Sequence, residues 1–272
     1  MDLSIAIPDS SLSDETTKLD KSRKISEFAR ACAIFKIKTI YIYQDGENRE
    51  DRNLLMTILR YLETPQFLRK RLFPKMNDLK FAGILHPLKI PSHVTPADAK
   101  KISKGDVREG IIVSFKGKKF VDVGINQLVQ YFGPETVGKR ITVQFKNGFP
   151  NFELKAISKN DVQSYWGYSI KERSNLFSLI KEWQGPIIIT SRKGKTVSKD
   201  QISNYINSDK QILIVFGSPE KGVHQILGAK MSSLQNSKIL NFFPNQATET
   251  VRLEEAIIGV LSILNMFSFR PI

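Results

Sequence analysis

Apolar residues near the start of the chain, Leu3, Ile5 and Ile7, alternate with Ser4 and Ala6 and stop at Pro8, which predicts a short strand. From 21 to 35 the period changes: Ile25, Phe28, Ala29, Cys32 and Phe35 recur at three- and four-residue steps, the signature of a helix with one buried face. Thr39-Ile40-Tyr41-Ile42-Tyr43 is a β-branched and aromatic run closed by Asp45-Gly46, a second strand. A further helix is predicted over 52–62, stopping before Pro65. Strand, helix and strand in such a short span predict an α/β unit with parallel pairing.

Prolines at 87, 91 and 96 punctuate a linker over 83–95, and the texture then changes. Short strand-like runs at 109–115, 119–123, 127–132, 140–145 and 151–157, with an Asn147-Gly148 turn, predict a small OB-like β-barrel. Near-continuous apolar runs at 186–190 and 211–216 then predict strands buried on both faces of a parallel sheet. A shorter strand at 238–241 follows, and a last helix begins near Leu253. The expected fold is α/β: a parallel-sheet domain built from 1–90 and 161–272, interrupted by a barrel insert at 91–160.

Composition narrows the class. A hydrophobic fraction of 41% and a charged fraction of 25% are those of an ordinary globular chain. The longest apolar stretch, 256–269, is broken by Ser262 and Asn265 and is too short to span a bilayer. No basic n-region precedes an apolar run at the N-terminus, so a cytoplasmic location without membrane association is expected. The single cysteine, Cys32, lies among Ala31, Ala33 and Ile34 and reads as a buried structural thiol. Three histidines without clustered carboxylates predict no metal site.

The net charge of +14 changes the picture more. The first twenty residues hold one lysine against five acids, so the basic excess runs through the body of the chain. Such a surface attracts polyanions through counterion release; the alternative is a charge that serves solubility.

Candidate chemistry gathers after the three late strands, in segments 190–194, 217–222 and 241–252. Ligands of open α/β sheets lie beyond the carboxyl ends of strands, and glycines there permit close backbone approach. Neither the dinucleotide glycine spacing nor a Walker loop is present, which argues against dinucleotide and triphosphate chemistry.

Phe216-Gly217-Ser218-Pro219-Glu220-Lys221-Gly222-Val223, followed by Pro244-Asn245-Gln246-Ala247-Thr248-Glu249-Thr250-Val251-Arg252-Leu253-Glu254-Glu255-Ala256-Ile257, resembles the SPOUT superfamily of RNA methyltransferases. More closely, it is similar to the archaeal and eukaryotic branch associated with uridine N3-methylation. Ser4-Ile5-Ala6-Ile7-Pro8, the segment 61–74 and Trp166-Gly167-Tyr168 resemble the same branch, so the likeness spans nearly the whole chain. The resemblance implies a C-terminal trefoil knot, a homodimer, S-adenosyl-L-methionine as cofactor and RNA, expected to be ribosomal, as substrate. It also implies a donor pocket formed by Thr190, Arg192, Gly217, Gly222, Asn245, Gln246 and Thr248, with Leu240 and Val251 as apolar walls. Two positions depart from the family pattern: Ala247 stands where glycine is usual and Leu253 where threonine is usual.

Methyl transfer to a uracil N3 requires removal of the imide proton, hence a base or strong stabilisation of the anion. Arg252 is the candidate catalytic residue for the electrostatic role; a structural ion pair with Glu249, Glu254 or Glu255 is the alternative. No residue stands out as the base. Arg69, Lys70, Arg71 and Lys75, interleaved with Phe67, Leu68, Leu72 and Phe73, are candidate RNA contacts, or else the solvated face of a helix. Lys118 and Lys119, with Lys116 and Phe120, offer a second candidate surface on the barrel. Ala247 and the missing base leave open a non-catalytic RNA-binding or ribosome-assembly role on a methyltransferase scaffold.

Overall fold

The computed structural model describes residues 2–93, 96–206 and 209–268; Thr95 of the expected linker and Phe269 of the apolar stretch lie outside the described residues. The first part of the chain forms β1 (Leu3–Pro8), α1 (Lys18–Ile34), β2 (Thr39–Tyr43), α2 (Arg49–Glu63) and α3 (Gln66–Leu72). The middle forms β3 (Val107–Phe115), β4 (Lys118–Asp122), β5 (Val129–Gln130), β6 (Arg140–Asn147) and β7 (Glu153–Ile157). The last part forms β8 (Ser169–Arg173), α4 (Leu176–Glu182), β9 (Ile187–Thr196), α5 (Lys199–Ile206), β10 (Ile212–Val215), α6 (Val223–Leu227), β11 (Ser237–Asn241) and α7 (Leu253–Ser268).

Two compact units result. The first comprises Met1–Glu63, Asn77–Pro87 and Tyr168–Ile272; the second comprises Thr64–Met76 and Leu88–Gly167. The first holds a six-stranded sheet in the order β11-β9-β10-β1-β2-β8, with every pairing parallel. At its centre Ile5 lies beside Ile40 on one side and Ile214 on the other. All six residues of β1 and all four of β10 are buried; β10 is an unbroken apolar run, and in β1 the polar Ser4 is buried with its apolar neighbours.

Helix starts precede the expected positions because capping residues are polar and silent in an apolar pattern. Thr17 caps α1 by accepting from the Asp20 amide, and Asn48 accepts from the amides of Glu50 and Asp51 at the start of α2. β8 was not predicted at all. Its sequence, Ser169-Ile170-Lys171-Glu172-Arg173, sits at the sheet edge, where charged side chains replace an apolar run.

The second unit is a five-stranded antiparallel half-barrel in the order β5-β4-β3-β6-β7. Three meandering strands are followed by β6, which returns to β3: a Greek key. Ile112, Val121, Val143 and Phe145 fill its core. The expected strand at 127–132 shortens to Val129–Gln130. β6 runs on through Asn147, so the reversal falls later than the expected Asn147-Gly148 turn, past a cis Phe149-Pro150 bond. α3 belongs to this unit: a Cβ at Gly124, which has a φ of +76°, would lie 2.9 Å from the ring of Phe67.

Candidate functional site

Beyond the carboxyl ends of β9, β10 and β11 lies a cavity of about 670 Å³. Its first wall arises from a register shift. Ile189 pairs with Ile239, but the next β11 residue, Leu240, pairs with Lys195, so residues 190–194 leave the ladder and the first four of them line the opening. This segment, expected as a plain loop, is an excursion within β9. Gly194 closes it, since a Cβ there would stand 2.7 Å from the Leu240 carbonyl carbon and 2.8 Å from the Ile239 carbonyl. Thr190 Oγ1 donates to the Val215 carbonyl at 2.9 Å, tying this wall to β10.

The second wall is the tight turn after β10. Ser218 N donates to the Lys221 carbonyl and Lys221 N to Ser218 Oγ, both at 2.9 Å. Gly217 permits this fold, because a Cβ would meet the Lys221 carbonyl oxygen at 2.8 Å. Gly222 differs: a Cβ there would meet nothing within 4 Å, although the residue lines the cavity. The third wall, after β11, is stitched to the first: Arg192 donates to the Glu249 carbonyl at 2.7 Å and Asn241 Nδ2 to the Arg192 carbonyl at 3.1 Å. Phe216, Phe242 and Val260 supply apolar surface.

Seven of the residues singled out in the sequence line this cavity: Thr190, Arg192, Gly217, Gly222, Gln246, Val251 and Arg252. Leu240, Asn245 and Thr248 do not. Leu240 is buried in β11 beneath the site. Asn245 is exposed and turns the third wall through a φ of +60°, a conformation that asparagine tolerates. Thr248 is exposed and contributes its carbonyl to Gln246 Nε2 at 2.9 Å. Ala247 is also exposed and lies outside the lining, so its methyl group does not enter the cavity. Leu253, the other departure, is buried and lines it.

Sequence reading missed Asp14, which reaches the cavity from the segment between β1 and α1. Both its carboxylate oxygens lie 2.5 Å from the ammonium of Lys24, whose side chain is only 2% exposed. The same ammonium lies 3.3 Å from Glu254 Oε2. The available signal was Lys24 itself, a charge within the apolar stripe of α1, four residues before Phe28. Such a buried cation requires anionic partners. Arg252 is 62% exposed, 3.7 Å from Glu15 Oε1 and 4.0 Å from Glu254 Oε1. Glu255 instead caps α7 by accepting from the Arg252 amide. Nearby, burial and then the repulsion of Glu254 push the Glu27 carboxyl above its ordinary value.

The basic residues of the second unit are placed differently from one another. Lys70 and Lys75 are exposed, whereas Arg69 donates to the Thr64 carbonyl and Arg71 pairs with Asp122 at 3.2 Å. Lys118 is exposed, but the ammonium of Lys119 is committed to the Gly133 and Glu135 carbonyls at 2.5 and 3.1 Å. Phe115, 52% exposed, packs edge-on to Phe120 and carries Lys116 over its ring. Among the described residues there is no group of metal-ligating side chains, and no helix is long and apolar enough to cross a membrane.

Comparison with known proteins gives this site a context. A family model described as "Putative RNA methyltransferase" matches residues 2–264. The chain is 30% identical to the human 28S rRNA (uridine-N(3))-methyltransferase, over 96% of this chain and 77% of that protein. It is 26% identical to the Drosophila melanogaster protein of the same name, over 96% and 61% of the two chains. An uncharacterized protein of Halobacterium salinarum is 28% identical over 98% and 99%. Matched by the family model from residue 2 to residue 264, the chain belongs to this RNA methyltransferase family.

Proposed function

We propose that the protein is an S-adenosyl-L-methionine-dependent methyltransferase that modifies N3 of a uridine in ribosomal RNA, with the methyl donor held in the cavity beyond β9, β10 and β11. The observation that carries this reading is the convergence of three strand-end segments on one cavity in a chain of this family. The cavity's size lies in the range of cofactor sites. The residues present fit the donor: the open space at Gly222 leaves room for close backbone approach, and Phe216, Phe242 and Val251 offer apolar surface for an adenine. Thr190, Arg192 and Gln246 supply polar groups around it.

When bound, the donor supplies an activated methyl group on a sulfonium. The chain must then align the acceptor nitrogen, exclude water and take up the imide proton. Asp14, Glu220 and Glu249 are the carboxylates on the cavity wall. Asp14 is the one fixed from behind by a buried ammonium, and its Oδ atoms take the proton in this reading. Arg252, largely exposed at the cavity rim, stabilises the uracil anion.

We extend the same reading to a trefoil knot in the C-terminal part, a homodimer, and the half-barrel as an RNA platform on which Phe115, Lys116 and Lys118 contact single-stranded bases. A non-catalytic role was motivated by Ala247 and by the missing base; Ala247 lies outside the cavity, and Asp14 is the base proposed here. Calorimetry with S-adenosylmethionine tests the reading, with binding in the micromolar range expected and no heat at millimolar donor refuting it. Mass spectrometry of rRNA from cells with and without the gene then identifies the methylated nucleoside; absence of any difference refutes the substrate assignment.

A further inference from the structure

The same carboxyl edge of the sheet carries a second cavity, of about 420 Å³, beyond β2 and β8. Gln44 follows β2, Phe177 lies in the first turn of α4 just after β8, and Lys221, Gln225 and Lys230 come from the stretch after β10. This last stretch separates the two cavities: Gly222 lines the first, Lys221 the second, and Gln225 both.

The chemistry of the second cavity differs from that of the first. Among the described residues, neither Lys221 nor Lys230 is ion-paired with a carboxylate. The Lys230 ammonium stands 5.2 Å from the ring centroid of Phe177, which is half-buried against the core. Gln225 accepts from the Gly222 amide through Oε1, which directs its Nε2 donors elsewhere. Asp45, the acidic residue of this wall, is held by Ser10, whose Oγ donates to its Oδ1 at 2.6 Å. Two uncompensated ammonium groups, an aromatic ring and two side-chain amides match the phosphate, face and edge of one nucleotide.

We propose that this cavity binds the nucleotide flanking the methylated residue, its base displacing the Lys230 ammonium from the ring of Phe177, its edge against Gln44 and Gln225, and its phosphates on Lys221 and the displaced Lys230. The assignment rests on the RNA substrate proposed above, and it explains how the acceptor strand is held beside a donor cavity whose own walls are largely closed by internal hydrogen bonds.

The test uses the full chain and a fluorescently labelled oligouridylate of about ten nucleotides. Phe177→Leu, which keeps apolar bulk in the core, and Lys230→Glu should each weaken RNA binding by about tenfold. Lys230→Glu should also lower the slope of log Kd against log salt by about one, a change that a packing role would not produce. Donor affinity by calorimetry should remain that of the parent protein. If the parent binds the oligonucleotide and both variants match it in affinity and salt slope, the site is overturned while the RNA reading stands. If either variant changes the oligomeric state in sedimentation, the cavity belongs to a contact between copies and the proposal fails. If the parent does not bind RNA at low salt, the RNA reading and this site fall together.

Discussion

Replacing Lys24 with methionine isolates the ion cluster behind the cavity. Methionine keeps the unbranched apolar stem and removes only the ammonium and its charge. In the native protein that ammonium touches both oxygens of Asp14 at 2.5 Å and reaches Glu254 at 3.3 Å, with its side chain 2% exposed. Removing one partner of a fully buried ion pair costs about 3–5 kcal/mol, most of it the penalty of a stranded charge. Here the two carboxylates are 28% and 12% exposed, so Asp14 regains part of its hydration and Glu254 retains Arg252 at 4.0 Å. The expected loss is therefore about 2–3 kcal/mol, read as a lowered urea midpoint at constant slope. Adding Asp14→Asn to Lys24→Met removes one stranded charge and should restore about 1 kcal/mol, a coupling that a double-mutant cycle detects. Methyl transfer by Lys24→Met should fall at least tenfold at temperatures where the variant is fully folded, because Asp14 loses the group that aims it. A loss below about 1 kcal/mol together with unchanged turnover would refute both the buried pair and the role of Asp14.

Two glycines, Gly194 at the end of the first wall and Gly222 in the cavity lining, should behave in opposite ways. Gly194→Ala drives a methyl group into the backbone of Ile239 and Leu240 and should cost about 2 kcal/mol by separating β9 from β11, measured as a drop in Tm. Gly222→Ala meets nothing within 4 Å and has a φ of −67°, so Tm should hold while donor affinity falls at least fivefold; unchanged affinity would remove Gly222 from the donor site. Arg252→Gln should leave stability within about 0.5 kcal/mol, since the pair is exposed, and should lower the rate of methyl transfer without altering donor Kd. Burial pushes the Cys32 thiol well above its ordinary value, so a thiol reagent should label it only as fast as the protein unfolds; rapid labelling of native protein would contradict that burial.

The legible and illegible parts of this structure divide along a physical line. β10 was visible because a strand covered on both faces is apolar throughout, β1 by its alternation, β2 by its β-branched and aromatic residues, and the barrel strands because each is short and bounded by turn residues. β8 was invisible because an edge strand satisfies only one neighbour and is charged along its length: Lys171 and Glu172 are exposed, and Lys171 and Arg173 lie over the ring of Tyr41. The short helices α4, α5 and α6 offered too few turns for a period to emerge. Within the site, Gly217 and Gly222 announced themselves by residue type, but Asn245 and Thr248 carried the same motif signal and lie outside the cavity. A local motif records which residues build a turn as well as which ones face a ligand. Asn245 sets the direction of the third wall through its φ, and Gln246, one residue later, is the side chain that reaches the opening.

Asp14 shows why a site whose motifs all lie late in the sequence still depends on the first strand. β10 pairs with β9 on one side and with β1 on the other, Ile214 lying between Ile188 and Ile5. Whatever follows β1 must therefore border whatever follows β10 along the same carboxyl edge. The segment after β1 has neither glycine nor a phosphate-binding pattern, only Asp9-Ser10-Ser11-Leu12-Ser13-Asp14, and no local rule marks it as functional. Its position is dictated by parallel pairing, and its orientation by Lys24, ten residues further on in α1. The strand order thus places the first cavity beyond β9, β10 and β11 and the second beyond β2 and β8, and the segment after the central strand β1 brings Asp14 to the wall of the first. In the reading proposed above, donor, acceptor strand and proton acceptor are held by segments far apart in the chain that parallel pairing brings to a single sheet edge.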